Sequence, residues 1–156
     1  MTPIELTATL HRLIPLTHAM AVEVTVLGAE ELVLTAPLTA NHNHAGSAFA
    51  GSLASLASIA GWAFLHQLAE REGLAAELLL ADSRIRYRQP IYENLRAQLR
   101  VTATEQQRFL ASLKRGYKAR LRLTIGLPDL ERPAAQFEGL YVAVPASSAV
   151  PTAAPD

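Results

Sequence analysis

Cysteine is absent from this chain of 156 residues, which removes a disulfide framework, a thiolate zinc site and a cysteine nucleophile from consideration. Net charge is absent too, since fourteen Lys and Arg balance fourteen Asp and Glu. A dedicated nucleic-acid binder carries a net basic footprint, so no nucleic-acid partner is expected. The first residues hold Glu5 and no basic lead into an apolar run, so no signal peptide is read and a cytoplasmic location is expected. No internal repeat is visible. What is present is a chain that is 50% hydrophobic and of one ordinary domain's length, enough to bury a real core.

The charge balance hides an asymmetry. Residues 1–80 hold two Lys or Arg against seven Asp or Glu, and residues 81–156 hold twelve against seven. The basic excess is almost all arginine, from Arg84, Arg86 and Arg88 through Arg120, Arg122 and Arg132. Arginine forks suit phosphates, which leaves a phosphorylated ligand open. The plainer reading is that alternate strand positions face water.

The stretch Asn41-His42-Asn43-His44-Ala45-Gly46-Ser47-Ala48-Phe49-Ala50-Gly51-Ser52 runs from a polar loop into a helix without charge until Glu70. A helix that is apolar or small all round belongs inside something. Its first turn aims free backbone N–H groups and the positive end of the helix dipole at whatever the Asn/His loop holds. Ser47 to Leu65 approaches the length of a membrane span, but serines and glycines dilute it and no second span exists. No membrane span is expected.

Thr2-Pro3-Ile4-Glu5 reads as a capping box with proline at the first helical position, and Leu6, Leu10 and Leu13 form one face of a helix ending before Pro15. Val22, Val24 and Val26, then Leu32, Leu34, Ala36 and Leu38, alternate around Gly28 as a hairpin. The central helix runs from about Phe49 to Arg71 and stops at Gly73. Strands follow at Leu78 to Tyr87 and Leu95 to Thr104, joined through residues 89–94. Phe109, Leu110 and Leu113 suit either a short helical turn closed by Gly116 or an extended connection. Two more strands follow, one around Leu121, Leu123 and Ile125 and a last one at Ala135 to Val144. Residues 1–145 are read as one domain and residues 146–156 as a tail expected to be disordered. The class is α+β, a curved antiparallel sheet wrapped around one long helix.

That arrangement resembles the hotdog fold of acyl-thioester enzymes. Asn41-x-Asn43 with Phe49-x-Gly51-Ser52 and Gly61-Trp62 is similar to the hallmark of the YiiD C-terminal-type thioesterases. Ala81-Asp82-x-x-Ile85-Arg86-Tyr87-x-x-Pro90 and Phe137-x-Gly139-Leu140-Tyr141-Val142-x-Val144-Pro145 resemble that family's strand motifs, in the same order. The resemblance implies a homodimer or dimer-based tetramer with sites at the subunit interface. It also implies an acyl-CoA or acyl-carrier-protein thioester as ligand, its carbonyl oxygen meeting N–H groups at the helix start. A related branch has a carboxylate about two turns into the helix. Alignment on Asn43-His44-Ala45-Gly46 places that position at Ser58, so this acid is not carried over.

Thioester hydrolysis needs a polarised carbonyl, a positioned water or nucleophile, and a base. Backbone N–H groups near Gly51 and Ser52 can supply the first, although Gly51 also suits tight packing. Asn43 can orient water or the carbonyl and His44 can act as a base near neutral pH; both residue types are also common in loops. Asp82 ends the apolar run Leu78 to Ala81, where an ionised group is costly without a partner or a task. It is a second candidate base or half of an ion pair. Phe49 joins the motif as a candidate substrate contact. Arg88 and Arg115, each near a turn, are candidate phosphate contacts. The His42/His44 pair lacks an obvious third ligand, so neither a metal nor a cofactor is expected. The expected function is hydrolysis of acyl thioesters, with a non-catalytic acyl-CoA or fatty-acyl binding module as the alternative. A hotdog dehydratase is disfavoured because no compelling His/Glu pair is visible.

Overall fold

A computed structural model describes residues 1–146; the expected tail from Ser147 onward lies outside the described residues. Six strands form one antiparallel sheet in the order β1-β2-β4-β5-β6-β3. They are β1 (Glu23–Leu27), β2 (Glu31–Ala36), β3 (Ala76–Tyr87), β4 (Leu95–Arg100), β5 (Ala119–Leu127) and β6 (Ala135–Pro145). Alternation sorts their side chains: Leu32, Leu34, Leu95, Ala97, Leu99, Ile125, Phe137 and Tyr141 are buried on one face, which wraps the helix α3 (Ala50–Arg71). Each fully buried Leu or Phe contributes about 1.5–3 kcal/mol of transfer free energy. Among the described residues no helix is long and apolar enough to cross a membrane.

Helix α3 is not buried evenly. Leu56, Ala57, Ala60, Ala63, Phe64, Leu65 and Leu68 are fully covered, whereas Gly51, Ser55, Ser58, Trp62 and His66, spaced by three and four, form a half-buried stripe. At Gly61 the sheet comes closest, since a Cβ there would lie 2.3 Å from the Tyr141 ring and hydroxyl. The Tyr141 hydroxyl donates to the Ser58 carbonyl at 2.8 Å, and burial pushes its pKa up.

The N-terminal helix α1 (Pro3–Leu13) carries the expected capping box, with Thr2 and Glu5 bonded reciprocally. Leu6 and Leu10 are fully buried, but Leu13 is exposed because the chain breaks there into a further short helix, α2 (Pro15–Ala19). Val26 is also exposed, contrary to the hairpin alternation. A bulge between Val24 and Val26 pairs Val26 with Val33 and so turns it to the outer face.

The largest correction concerns residues 101–114. Strand β4 ends at Arg100, and helix α4 (Ala103–Lys114) follows. Thr102 and Glu105 make a second reciprocal capping box, and Phe109, Leu110 and Leu113 bury that helix's inner side. On the outer face, residues 128–130 fold over β5 at Gly126, where a Cβ would meet the Asp129 carbonyl at 2.0 Å. Arg96 donates to the Pro128 carbonyl at 2.7 Å and the Leu130 N–H donates to Gln98 Oε1 at 3.1 Å.

Candidate active site

The loop before α3 is closed by its own backbone. His42 bridges to Ala48, the Asn43 N–H donates to the Ser47 carbonyl at 2.7 Å, and the Phe49 N–H donates to the Asn41 carbonyl at 2.7 Å. Gly46 sits at φ +80°, a left-handed position that glycine takes without strain. The Asn43 Oδ1 accepts from the N–H groups of Ala45 and Ser47, and its Nδ2 donates to the Ser47 hydroxyl at 2.9 Å. Its polar atoms therefore hold the loop's shape. The buried Asn41 ties the same loop to the Met20 and Pro37 carbonyls.

Helix α3 starts without a side-chain cap; Phe49 is its N-cap residue. The N–H groups of Ala50, Gly51 and Ser52 belong to the first turn and have no intrahelical acceptor. The Phe49 ring, half exposed, lies where a Gly51 Cβ would be, with the nearest ring carbon 2.4 Å from that position. Beside this turn is a cavity of about 310 Å³ bounded by Asn43, Ala50, Leu53, Tyr87, Arg88 and Gln89, among others. Tyr87 closes its wall by donating its hydroxyl to the Ala50 carbonyl at 2.9 Å. Burial raises the Tyr87 pKa, which keeps that hydroxyl protonated. The Ala48 N–H donates to the Ile91 carbonyl at 2.7 Å, stitching the loop to the β3–β4 connection.

The expected residues divide clearly. Asn43, Phe49, Gly51, Ser52 and Arg88 come together around this first turn. His44 is exposed on the adjoining loop. Arg115 is elsewhere: it caps α4, its Nε donating to the Ala111 carbonyl, and the adjacent Lys114 pairs with Glu72 just beyond the far end of α3. The 22 residues of α3 span about 33 Å, so one subunit does not bring Arg115 to Gly51.

Asp82 does not occupy the apolar environment that its neighbours suggested. It pairs across from Leu140 after a bulge between Leu80 and Asp82, and Leu140 points away from α3. Asp82 is therefore exposed on the outer face. Strand β3 is an edge strand that leans on the core through Ala76, Leu78 and Ile85 while Leu79 and Leu80 stay exposed, so an apolar run there does not mean burial. Ser58 donates its hydroxyl to the Ser55 carbonyl at 2.9 Å. With Leu16, Ser55, Trp62 and Leu80 it borders a second, mostly apolar cavity of about 250 Å³. Sequence reasoning misses Tyr87 as a site residue; the signal for it is Tyr87-x-x-Pro90 within the strand motif.

A sheet curled around one long helix, with the helix start opening into a cleft, defines a hotdog-fold protein of the thioesterase type. The chain belongs to the putative thioesterase family of the YiiD C-terminal domain, whose model matches residues 4–145. It is similar in structure to a putative thioesterase from Shewanella oneidensis, with 31% identity, 92% of this chain and 97% of that chain covered, and a TM-score of 0.83. A protein of unknown function from Chlorobaculum tepidum is 25% identical over 92% of this chain and 94% of that one, with a TM-score of 0.86. A Pseudomonas aeruginosa protein described as a probable thioesterase is 25% identical, covers 92% and 97%, and has a TM-score of 0.74.

Proposed function

We propose that this protein hydrolyses acyl thioesters of coenzyme A or of an acyl carrier protein at the start of α3. The observation that carries the reading is the row of first-turn N–H groups at Ala50, Gly51 and Ser52, without intrahelical acceptors, at the helix start whose Ala50 lines the 310 Å³ cleft. N–H groups fixed by a rigid loop stabilise a developing oxyanion without reorganising. The acyl chain follows the half-buried stripe of α3 toward the apolar cavity at Ser58 and Trp62, and Arg88 at the cleft wall meets the carrier's phosphate. His44, exposed on the adjoining loop, serves as the base. The reaction takes place in the cytoplasm.

The site is completed in a homodimer or a tetramer built from dimers. Strand β3 runs twelve residues along a sheet edge, with Leu79 and Leu80 exposed beside it. An edge of that length invites pairing with another chain. Light scattering at micromolar concentration is expected to show at least a dimer, and a clean monomer contradicts the interface model.

A second reading, a non-catalytic acyl-binding module, is favoured by one observation: the lining of the 310 Å³ cleft contains no histidine and no carboxylate. The two readings separate in a thiol-trapping assay over acyl-CoAs of increasing chain length. Saturable release of free thiol supports hydrolysis. Saturable binding without thiol release, measured calorimetrically on the same acyl-CoAs, overturns it in favour of the binding module.

A further inference from the structure

The outer face of the sheet carries a feature that the cleft does not use. Arg84 and Arg86 on β3 pair across from Glu138 and Gln136, whose side chains point away from α3. Arg120 and Arg122 on β5 pair with Val142 and Leu140 on the same side. All four are exposed, and none has an ion-pair or side-chain hydrogen-bond partner among the described residues. Arg88 continues the row: its Nη2 donates to Gln136 Oε1 at 3.0 Å while the residue also walls the cleft. Five arginines thus share a diagonal band with two carboxylates, Asp82 and Glu138, about 27 Å long along the strands and about 10 Å across them.

The arginines of the neighbouring strand behave differently. On β4, Arg96 is spent on the Pro128 carbonyl and Arg100 on Glu31. The β3/β5 cluster therefore keeps a net positive excess, with no ion pair formed to Asp82 or Glu138 among the described residues, which favours an external anion. The shape narrows the choice. None of the described cavities is bordered by Arg84, Arg86, Arg120 or Arg122, and a small nucleotide is held in a concave pocket. A flat charged face suits a flat, oppositely charged one.

Resting on the thioesterase reading above, we propose that this arginine face docks an acidic acyl carrier protein, with Arg88 marking where its thioester arm turns from the outer face into the cleft. The carrier-bound thioester is then favoured over the coenzyme A thioester, because a protein surface covers the whole band of about 27 Å from Arg88 to Arg120, whereas coenzyme A places its phosphates on only part of it.

The test is the double charge reversal R84E/R122E, two positions outside the cleft lining. The full-length protein is compared on octanoyl-acyl carrier protein and on octanoyl-CoA, and binding of the holo-carrier protein is measured by fluorescence anisotropy across a salt series. The expected result is at least about a tenfold loss in carrier affinity and in kcat/KM on the carrier substrate, with a flattened salt dependence. The octanoyl-CoA parameters and Tm stay close to wild type. Equal losses on both substrates, or an unchanged carrier affinity, overturn the proposal. Wild-type binding to phosphatidylcholine/phosphatidylglycerol vesicles with none to the carrier protein also overturns it, in favour of a membrane-facing surface. If the wild type hydrolyses neither substrate yet binds the holo-carrier through this face, the docking surface stands and the hydrolytic reading falls.

Discussion

Gly51 is the position where packing and chemistry make opposite predictions, and Gly51→Ala separates them. The added Cβ would sit 2.4 Å from a Phe49 ring carbon, so the ring must swing away. Phe49 is already 52% exposed, so its displacement forfeits only part of the roughly 1.5–3 kcal/mol of a buried ring, about 1 kcal/mol. Alanine recovers up to about 1 kcal/mol of helix propensity. These terms nearly cancel, and Tm is expected to stay within about 4 °C of wild type. Turnover is different, because the methyl group and the displaced ring crowd the approach to the Gly51 and Ser52 N–H groups. Weakening one oxyanion donor is expected to lower kcat by about 10- to 100-fold, somewhat less than outright removal. Thiol-trapping kinetics and thermal melts on the same preparation provide the assay. In the double variant with Phe49→Ala the losses should be less than additive, since both act through one ring. A folded Gly51→Ala protein with wild-type kcat and KM refutes the reasoning and leaves Gly51 as a packing residue only.

Asp82→Asn is expected to leave turnover within about twofold, because the carboxylate faces outward; a loss of the 10²-fold or more typical of a general base contradicts that placement, and steady-state kinetics decide. Gly61→Ala drives a Cβ to within 2.3 Å of the buried Tyr141 ring. Overpacking of this kind costs about 1–3 kcal/mol, so denaturant melts should shift to lower midpoint, and an unshifted midpoint contradicts the close approach. His66 stacks on Trp62 with ring centroids 4.7 Å apart, and burial holds its pKa below the ordinary imidazole value. The unfolded chain therefore binds its proton first as pH falls through about 6.5, so this group's contribution is lost on acidification. Melts from pH 7.5 to 5.5 should fall more steeply in wild type than in His66→Asn, and parallel curves contradict it.

The long central helix was legible because no charge interrupts it and Gly73 ends it, and the N-terminal helix because Thr2 to Glu5 states its own cap. The second capping box, Thr102 to Glu105, carries the same signal, but the apolar alternation through Val101 points to a strand that continues across the α4 start. The bulge at Val24/Val26 turns one valine outward without any local mark in residue type. Asp82 fails for a related reason: Leu79 and Leu80 are as apolar as core residues, and only the strand order shows that β3 lies at the edge. The site was half legible. The loop and helix start follow from the polar-to-apolar switch at residues 41–52, whereas the Tyr87 hydroxyl reaches Ala50 across 37 positions and depends on the tertiary fold. Nearness to a turn is the one signal at Arg115, and it says nothing about which end of the molecule that turn occupies.

The central claim is that N–H groups at the start of α3 polarise a thioester carbonyl. It is tested most directly by isotope-edited infrared spectroscopy of a non-cleavable ketone analogue of octanoyl-CoA, carbon-13 labelled at the carbonyl. Bound to the wild-type protein, the labelled carbonyl stretch should shift to lower frequency than in buffer. The shift should shrink in Ala50→Pro, which removes one first-turn N–H at a position where proline suits the helix. A bound analogue whose carbonyl frequency matches that in buffer, or a shift untouched by Ala50→Pro and Gly51→Ala alike, contradicts the account.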